Sequence, residues 1–178
     1  MNKTFYIILV LVFMVSCSKS EPRKPIKRKT GSFMKESIDR NKKLNKLEEE
    51  LLQIKMQNDS TNTYYTSANG FWYFYIKKDS LQTKLPIKGD EVIFSYEIRT
   101  LNDSILFSKQ ELGEKKYLVD KEELITGLQD GIKIMHEGEI ITFLFPSHKA
   151  FGYTGNERVY PNEPLIYTVH LKKIINKN

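Results

Sequence analysis

The side chains that most often carry out catalysis are scattered in this sequence. The three histidines, His136, His148 and His170, lack the spacing of metal ligands, and the chain has one cysteine to assist them. A phosphate-binding glycine loop, a Gly-x-Ser-x-Gly motif and an HExxH motif are all missing. The sequence therefore argues against a hydrolase, a transferase and a structural zinc site, and it predicts neither a metal nor another cofactor.

Residues 120–152 instead combine a short helix with an unusually apolar loop. Asp120 and Glu123 have the spacing of a capping box, so we expect a helix to begin at Asp120. Gly127 and Gly131 weaken that helix, which predicts close packing of another segment over its backbone. A turn, the buried strand EIITFLF, a proline that ends the strand and the loop SHKAFG follow. The apolar face of the predicted helix consists of Leu124, Ile125, Leu128 and Ile132.

Three motifs of this segment occur in a fixed order: LITGLQDG (124–131), MHEG (135–138) and PSHKAFG (146–152). In order and spacing they resemble the signature of FKBP-type peptidyl-prolyl cis-trans isomerases. The resemblance extends over about residues 71–174. It implies the FKBP fold, rotation about X–Pro bonds in peptide or protein substrates, and no cofactor.

Prolyl isomerisation needs none of the missing catalytic groups. Its barrier of about 18–20 kcal/mol arises from amide resonance, and the twisted transition state has lost the charge separation that water solvates well. A dry aromatic pocket that holds the proline ring favours the twisted state over the ground state. A sequence rich in aromatic residues and poor in nucleophiles is therefore compatible with this reaction.

The resemblance also assigns a pocket, position by position. The isoleucine of the first motif presents its backbone amide to the substrate carbonyl. The expected catalytic residues are Tyr96, Phe107, Ile125, Phe151 and Tyr167. The expected substrate-binding residues are Ser108, Tyr117, Leu124, Leu128 and Tyr153.

Three of these positions depart from the family pattern. Ser108 stands where an aspartate is usual, Leu128 where many members have a tryptophan, and Phe151 where a tyrosine hydroxyl normally binds the ligand; Tyr153 is the neighbouring hydroxyl that could partly replace it. We therefore keep two hypotheses. One is a catalytic isomerase that assists the folding of exported proteins, and the other is a non-catalytic peptide-binding or chaperone module of an envelope complex.

Residues 1–17 have the pattern of a signal peptide. Lys3 precedes an apolar run that is too short to span a bilayer of about 30 Å as a helix. The string MVSC resembles a bacterial lipobox and implies a lipid on Cys17, an anchor in a bacterial envelope membrane and a domain facing the periplasm. An uncleaved membrane anchor with an incidental cysteine is the alternative.

Residues 18–60 form a basic spacer. Ten basic and three acidic residues between positions 21 and 46 give this stretch a net charge of +7, whereas the whole chain carries +6. Beside a lipid anchor, such a segment gains about 1 kcal/mol per basic residue near anionic headgroups. The export signal and the lack of interleaved aromatic residues argue against a nucleic-acid partner.

Within the spacer, a helix is predicted from Ser32 to Asn58. An apolar stripe with 3-4-3 spacing runs along it and covers two heptads, fewer than a coiled coil needs. The stripe either pairs two copies of the chain, giving a homodimer through residues 44–54, or packs on its own domain; self-packing or a solvated spacer is favoured. The stripe consists of Leu44, Leu47, Leu51 and Ile54.

Residues 61–178 have the length of one domain with a single core. The strand FWYFYIK has aromatic residues on both faces. In a later strand, alternation places Ile93, Ser95, Glu97 and Arg99 mostly towards water. The expected class is α+β, an FKBP-like curved antiparallel sheet around a short central helix, preceded by a charged N-terminal helix. In the two longest strands the expected core residues are Val92, Phe94, Tyr96 and Ile98, and then Leu165, Tyr167, Val169 and Leu171.

A narrower resemblance rests on the cysteine, the charged spacer, FWYFY, ELGEKKYLVDKEEL and FLFPSHKAFGY taken together. This combination is similar to the gliding-motility-associated FKBP-type lipoproteins of Bacteroidetes. It implies a membrane-attached foldase of the periplasm, with a part in gliding motility or secretion.

Overall fold

The computed structural model describes residues 30–79, 81 and 83–176. The chain divides into two compact units, Met1–Lys35 and Glu36–Asn178. The described part of the first unit is the beginning of one helix. In chain order the elements are α1 (Thr30–Gln57), β1 (Tyr65–Ser67), β2 (Phe71–Lys77), β3 (Glu91–Thr100), β4 (Ile105–Phe107), α2 (Lys109–Leu112), β5 (Lys115–Leu118), α3 (Thr126–Ile132), β6 (Ile140–Phe145), a 3-10 turn (Ser147–Lys149) and β7 (Leu165–Ile175).

Within the described residues, the strands form one antiparallel sheet. Their order is β1-β2-β6-β7-β3-β4, and β5 pairs with β3. The longest strand, β7, lies between β6 and β3. Helix α3 packs against the sheet because Leu128 and Ile132 belong to the main hydrophobic core. The predicted α+β class, with one short central helix and a charged helix before it, is confirmed.

The two long strands bury alternate residues on one face, as period-two patterning predicts. Their fully buried core residues are Val92, Phe94 and Ile98 in β3, and Leu165, Tyr167, Val169 and Leu171 in β7. The expectation for Ser95 is wrong, because this side chain is buried. Ser95 pairs with His170 on a strand that has neighbours on both sides, so a side chain this short is covered by longer ones.

Aromatic residues of β2 serve both faces of the sheet, as predicted. Phe71 is buried in the main core, with Tyr73 and Tyr75 packed against it. Trp72 and Phe74 point the other way and pack on a smaller cluster. That second cluster has Leu52, Leu144 and Ile166 at its centre, so it joins α1 to β6 and β7.

Helix α1 covers nearly the predicted range, but it packs with a different face. The buried residues are Glu48 and Leu52. Sequence patterns assign glutamate to the surface, whereas here the Glu48 carboxylate is hydrogen-bonded to Ser147 inside the protein. The predicted apolar stripe is therefore largely uncovered in this chain. Its members that are more than half exposed are Leu47, Leu51 and Ile54.

The central helix begins later than predicted. It starts at Thr126, and its N-cap residue, Ile125, makes no side-chain capping bond. Asp120 does not cap a helix, because it lies in a turn with a φ of 54°. Its carboxylate binds Lys133 at 3.0 Å instead. The turn that brings β5 back towards the core therefore occupies the residues expected to form the first turn of the helix.

The glycines of α3 confirm the predicted close packing. A Cβ on Gly127 would lie 2.8 Å from the carbonyl oxygen of Lys149 and 2.9 Å from the Phe145 ring. A Cβ on Gly131 would lie 3.1 Å from the Phe143 ring. The helix therefore rests directly on β6 and on the loop that follows it.

Candidate functional site

Two stacked tyrosines lie at the centre of the candidate site. Tyr96 of β3 and Tyr167 of β7 have ring centroids 5.9 Å apart and ring planes 15° apart. They are diagonal neighbours, because Tyr96 pairs with Val169 and Tyr167 pairs with Ile98 across the two strands. The ladder between β3 and β7 thus places both rings on one face of the sheet.

The other expected catalytic residues come from three different segments. Phe107 ends β4, Ile125 precedes α3, and Phe151 lies in the loop after the 3-10 turn. Each is partly exposed and packs against the same buried cluster that contains Tyr167. The Tyr167 ring itself is only 1% exposed. All five residues thus belong to the same hydrophobic core, in which Tyr167 is buried and the other four are partly exposed. We call these five residues the aromatic cluster.

The two tyrosine hydroxyls remain protonated at neutral pH. Burial raises the pKa of Tyr167, and the nearby Tyr96 raises it further. Burial also raises the pKa of Tyr96. A protonated phenol can donate a hydrogen bond to a peptide carbonyl, so the site has neutral donors next to apolar rings.

An arginine covers one side of this cluster. The guanidinium carbon of Arg158 lies 4.7 Å from the centroid of the Phe107 ring. The same group donates a hydrogen bond of 3.0 Å to the carbonyl of Leu106 and pairs with Glu111 at 2.7 Å. Sequence reasoning missed Arg158, because nothing in a polar loop 52 residues from Leu106 indicates which ring it will cover.

Two expected binding residues are core side chains in this structure. Leu128 is 1% exposed and Tyr117 is 3% exposed. The Tyr117 hydroxyl accepts a hydrogen bond of 3.1 Å from the Asp120 amide. Both belong to the cluster that contains Tyr167, so they can shape the site from below, while Leu124 is partly exposed beside it.

Ser108 and Tyr153 have different surroundings. Ser108 caps the short helix α2, because its hydroxyl accepts a hydrogen bond of 3.2 Å from the Glu111 amide. The Tyr153 side chain is 82% exposed and is not among the residues of the aromatic cluster. The structure thus gives Ser108 a capping role and places Tyr153 at the surface.

Backbone contacts fix the loop that carries Phe151. The Gly152 amide donates to the Ser147 carbonyl at 2.8 Å, and the Asn162 amide donates to the Gly152 carbonyl at 2.8 Å. Gly155 has a φ of +62°, and a Cβ there would lie 2.3 Å from a backbone oxygen of the same loop. Only glycine suits this position, and the loop holds Phe151 against the core.

A cavity of about 800 Å³ adjoins the aromatic cluster. One wall is a face of α1, and the other is the loop from Ser147 to Thr154 together with Asn162. We refer to it as the helix–loop cavity. Phe151 belongs both to this cavity and to the aromatic cluster. Sequence reasoning missed the cavity, because the packed face of α1 depends on the buried Glu48.

Across residues 30–79, 81 and 83–176, no three or more His, Cys, Asp or Glu side chains are grouped so that they could hold a metal ion. In the same part of the chain, no helix combines the length and the hydropathy that crossing a bilayer requires.

Comparison with known proteins gives matches in sequence. Residues 82–172 match the model of the family described as FKBP-type peptidyl-prolyl cis-trans isomerase. The probable FKBP-type peptidyl-prolyl cis-trans isomerase FkpA of Neisseria meningitidis serogroup B is 29% identical over 119 residues, which are 66% of this chain and 43% of that protein. The peptidyl-prolyl cis-trans isomerase Mip of Coxiella burnetii is 32% identical over 113 residues, 63% of this chain and 48% of that protein. The chain thus spans less than half the length of these two curated relatives.

Solved structures show the same fold. The crystal structure of FkpA from Escherichia coli superposes with a TM-score of 0.62 at 18% identity, covering 100% of this chain and 84% of that one. The crystal structure of a peptidyl-prolyl cis-trans isomerase from Pseudomonas syringae pv. tomato gives a TM-score of 0.60 at 18% identity, covering 76% and 96%. The FKBP-like architecture expected from the motifs is therefore confirmed.

Proposed function

Since the chain belongs to the FKBP-type peptidyl-prolyl cis-trans isomerase family, as its three motifs predicted, we propose that it catalyses the cis–trans isomerisation of X–Pro bonds. The observation that carries this proposal is the aromatic cluster. Tyr96 stacks on the buried Tyr167, and Phe107, Ile125 and Phe151 reach the surface of the same cluster. The substrates are proline-containing peptides or proteins.

The cluster suits a reaction that has no nucleophile. Partly exposed aromatic rings over a buried core offer the proline ring an apolar surface with little water. Ile125 is the N-cap of α3, so its amide takes no part in the hydrogen bonds inside the helix and can meet the substrate carbonyl. These groups stabilise a twisted amide more than a planar, resonance-stabilised one.

Catalysis of cis–trans exchange in a short proline peptide tests the proposal. Exchange rates measured by NMR for the full-length protein in detergent should be well above the uncatalysed rate. Phe107→Ala removes a ring of the cluster and should reduce kcat/KM. Ile105→Ala is the control, because it removes a side chain of the same strand that is 58% exposed, and it should leave kcat/KM unchanged. Equal and uncatalysed rates with both the wild type and Phe107→Ala would contradict the proposal.

A non-catalytic peptide-binding or chaperone module is the second candidate. It is favoured by the surroundings of Ser108, whose hydroxyl is used to cap α2, and by Leu128, which lies in the core. Leu128 offers no polar group to a substrate, and the Ser108 hydroxyl already accepts a hydrogen bond from the Glu111 amide. Peptide binding without faster exchange would favour this candidate over the isomerase.

We propose further that the chain is an exported lipoprotein anchored through Cys17, with its domain in the periplasm. The signal peptide, the lipobox and residues 18–29 of the basic spacer lie outside the described residues. The proposal is supported by their sequence pattern and by the basic charge between positions 21 and 46. Labelling with radioactive palmitate should be lost in Cys17→Ala, and unchanged labelling would exclude this site.

A second copy of the chain is the partner we propose for the exposed face of α1. Leu47, Leu51 and Ile54 are each more than half exposed and lie on one side of the helix. A homodimer through residues 44–54 would cover them. Sedimentation equilibrium should then show a dimer that Leu47→Ser and Leu51→Ser together convert to a monomer; a monomeric wild type would contradict the pairing.

The clients we propose are exported proteins, including components of gliding motility or secretion. This part of the proposal rests on the combination of lipobox, charged spacer and isomerase domain in one chain. Deletion of the gene should slow surface spreading of the cells, and complementation with Phe107→Ala should fail to restore it. Normal spreading of the deletion strain would remove motility from the proposal.

A further inference from the structure

The helix–loop cavity is a second binding surface next to the aromatic cluster. At about 800 Å³ its volume falls in the range of about 300–1,000 Å³ that is usual for ligand sites. The residues of α1 that line it recur every three or four positions, so they share one face of the helix. These helix residues are Ser37, Arg40, Asn41, Leu44 and Asn45.

The cavity has a fixed position relative to the candidate site. Phe151 is shared between the two, so a chain bound at the aromatic cluster can continue along Phe151 into the cavity. The opposite wall, α1, is tied down one turn beyond Asn45. There the buried carboxylate of Glu48 accepts two hydrogen bonds of 2.7 Å from Ser147. Hydrogen bonds within the protein thus fix the positions of both walls.

The lining has the chemistry of a peptide site. Asn41 and Asn45 offer side-chain amides, which can donate to and accept from the backbone of an extended peptide. Leu44 and Phe151 offer apolar surface between them. Arg40 contributes a guanidinium to the lining, and none of the described residues that line the cavity is acidic. The local charge therefore favours a carboxylate.

We propose that the helix–loop cavity binds the segment of a client next to its proline and prefers a segment that carries acidic side chains. This inference rests on the isomerase function proposed above and adds a specificity to it. Arg40 is the residue that selects the charge, and Asn41 and Asn45 hold the backbone. In this arrangement α1 is a wall of the substrate site as well as a spacer.

Matched peptides test the proposal. A blocked peptide Ala-Phe-Pro-Phe is extended on either side by three residues that are all Glu, all Gln or all Lys. Exchange rates are measured by NMR with the full-length protein in detergent at low salt. For a partly screened ion pair we expect the Glu-extended peptide to exceed the Gln-extended one in kcat/KM by about three- to fivefold on one of the two sides, and the Lys-extended one to fall below both.

Two variants of α1, Arg40→Gln and Lys43→Gln, distinguish an effect of the cavity from an effect of the overall positive charge of the helix. Arg40→Gln should abolish the preference for Glu while leaving the rate on the short peptide unchanged. Lys43→Gln removes the same charge from an exposed position that is not among the lining residues, and it should leave the preference intact. Asn41→Trp narrows the cavity and should reduce kcat/KM on the extended peptides only.

The outcomes distinguish this inference from the function on which it rests. If the short peptide is not isomerised, the proposed isomerase function fails. Occupancy can still be read from the NMR signals of the Asn41 and Asn45 side-chain amides, which should shift with the Glu-extended peptide. If the short peptide is isomerised but Glu and Gln extensions behave alike, the charge preference is overturned. A preference that survives Arg40→Gln, or that Lys43→Gln removes equally, also overturns it.

Discussion

Glu48 and Ser147 are joined by two hydrogen bonds across 99 positions of the chain. One carboxylate oxygen accepts from the Ser147 amide at 2.7 Å and the other accepts from its hydroxyl at 2.7 Å. Both residues are at most 5% exposed. This contact fixes α1 against the start of the loop that presents Phe151, so it connects the spacer helix to the candidate site.

Removal of the Glu48 carboxylate should destabilise the protein. Glu48→Ala leaves a buried amide and a buried hydroxyl without an acceptor, and we expect the free energy of unfolding to fall by about 3 kcal/mol. Glu48→Gln keeps one acceptor oxygen and should cost less. Urea unfolding gives the values, and the exposed Glu49→Ala provides the control, with a change within about 0.5 kcal/mol. A stable Glu48→Ala would show that α1 is not fixed by this contact.

Loss of Arg158 should destabilise the protein by a small amount. Its guanidinium covers the Phe107 ring, and its side chain is 49% exposed. A cation–π contact at an exposed site is worth about 0.5–1 kcal/mol, so Arg158→Ala should lower the free energy of unfolding by about that amount in urea unfolding. Arg158→Lys keeps the charge without the planar fork and should recover part of the loss. The neighbouring Glu157→Gln should have no effect; an equal loss there would argue against a role of the ring contact.

Whether Gly127→Ala stabilises or destabilises the protein tests the packing of α3. Helix propensity alone predicts that Gly127→Ala stabilises the protein by up to about 1 kcal/mol. The backbone oxygen of Lys149, 2.8 Å from the new Cβ, and the Phe145 ring cannot both move away cheaply. Overpacking should dominate, and we expect a net loss of about 1–3 kcal/mol in urea unfolding. Gln129→Ala in the same helix should be nearly neutral, and a stabilised Gly127→Ala would contradict the observed fit.

Alkaline pH should destabilise the sheet through the partly buried phenol of Tyr75. Burial, followed by the influence of Tyr73 and Glu139, raises the pKa of Tyr75 to about 12 from the usual 10.0. A raised pKa in the folded state contributes stability that is complete below pH 10 and is lost as the pH rises towards 12. The difference in unfolding free energy between the wild type and Tyr75→Phe should therefore be constant up to about pH 9 and then shrink. A difference that does not change up to pH 12 would contradict the raised pKa.

The sequence predicted the features that depend on neighbouring residues of the chain, and it did not predict those that depend on contacts between distant segments. Alternation within β7 placed Tyr167 on the core face, because neighbouring residues of one strand carry the signal. The start of α3 was misplaced because a capping box and a turn use the same residue types, and only the left-handed backbone of Asp120 distinguishes them. The contact between Glu48 and Ser147 and that between Arg158 and Phe107 join segments far apart in the chain, where no periodicity exists to reveal them.

Restoration of the missing phenol at position 151 should strengthen substrate binding. Phe151 is partly exposed, so the hydroxyl introduced by Phe151→Tyr remains in reach of solvent and of a bound peptide. One net hydrogen bond of about 0.5–1.5 kcal/mol corresponds to a KM lower by about two- to tenfold. Since the bond forms with the bound substrate before and during rotation, kcat should stay nearly constant. Phe151→Leu is the matched control and should raise KM. If Phe151→Tyr leaves KM unchanged, then the ring edge of Phe151 does not face the substrate.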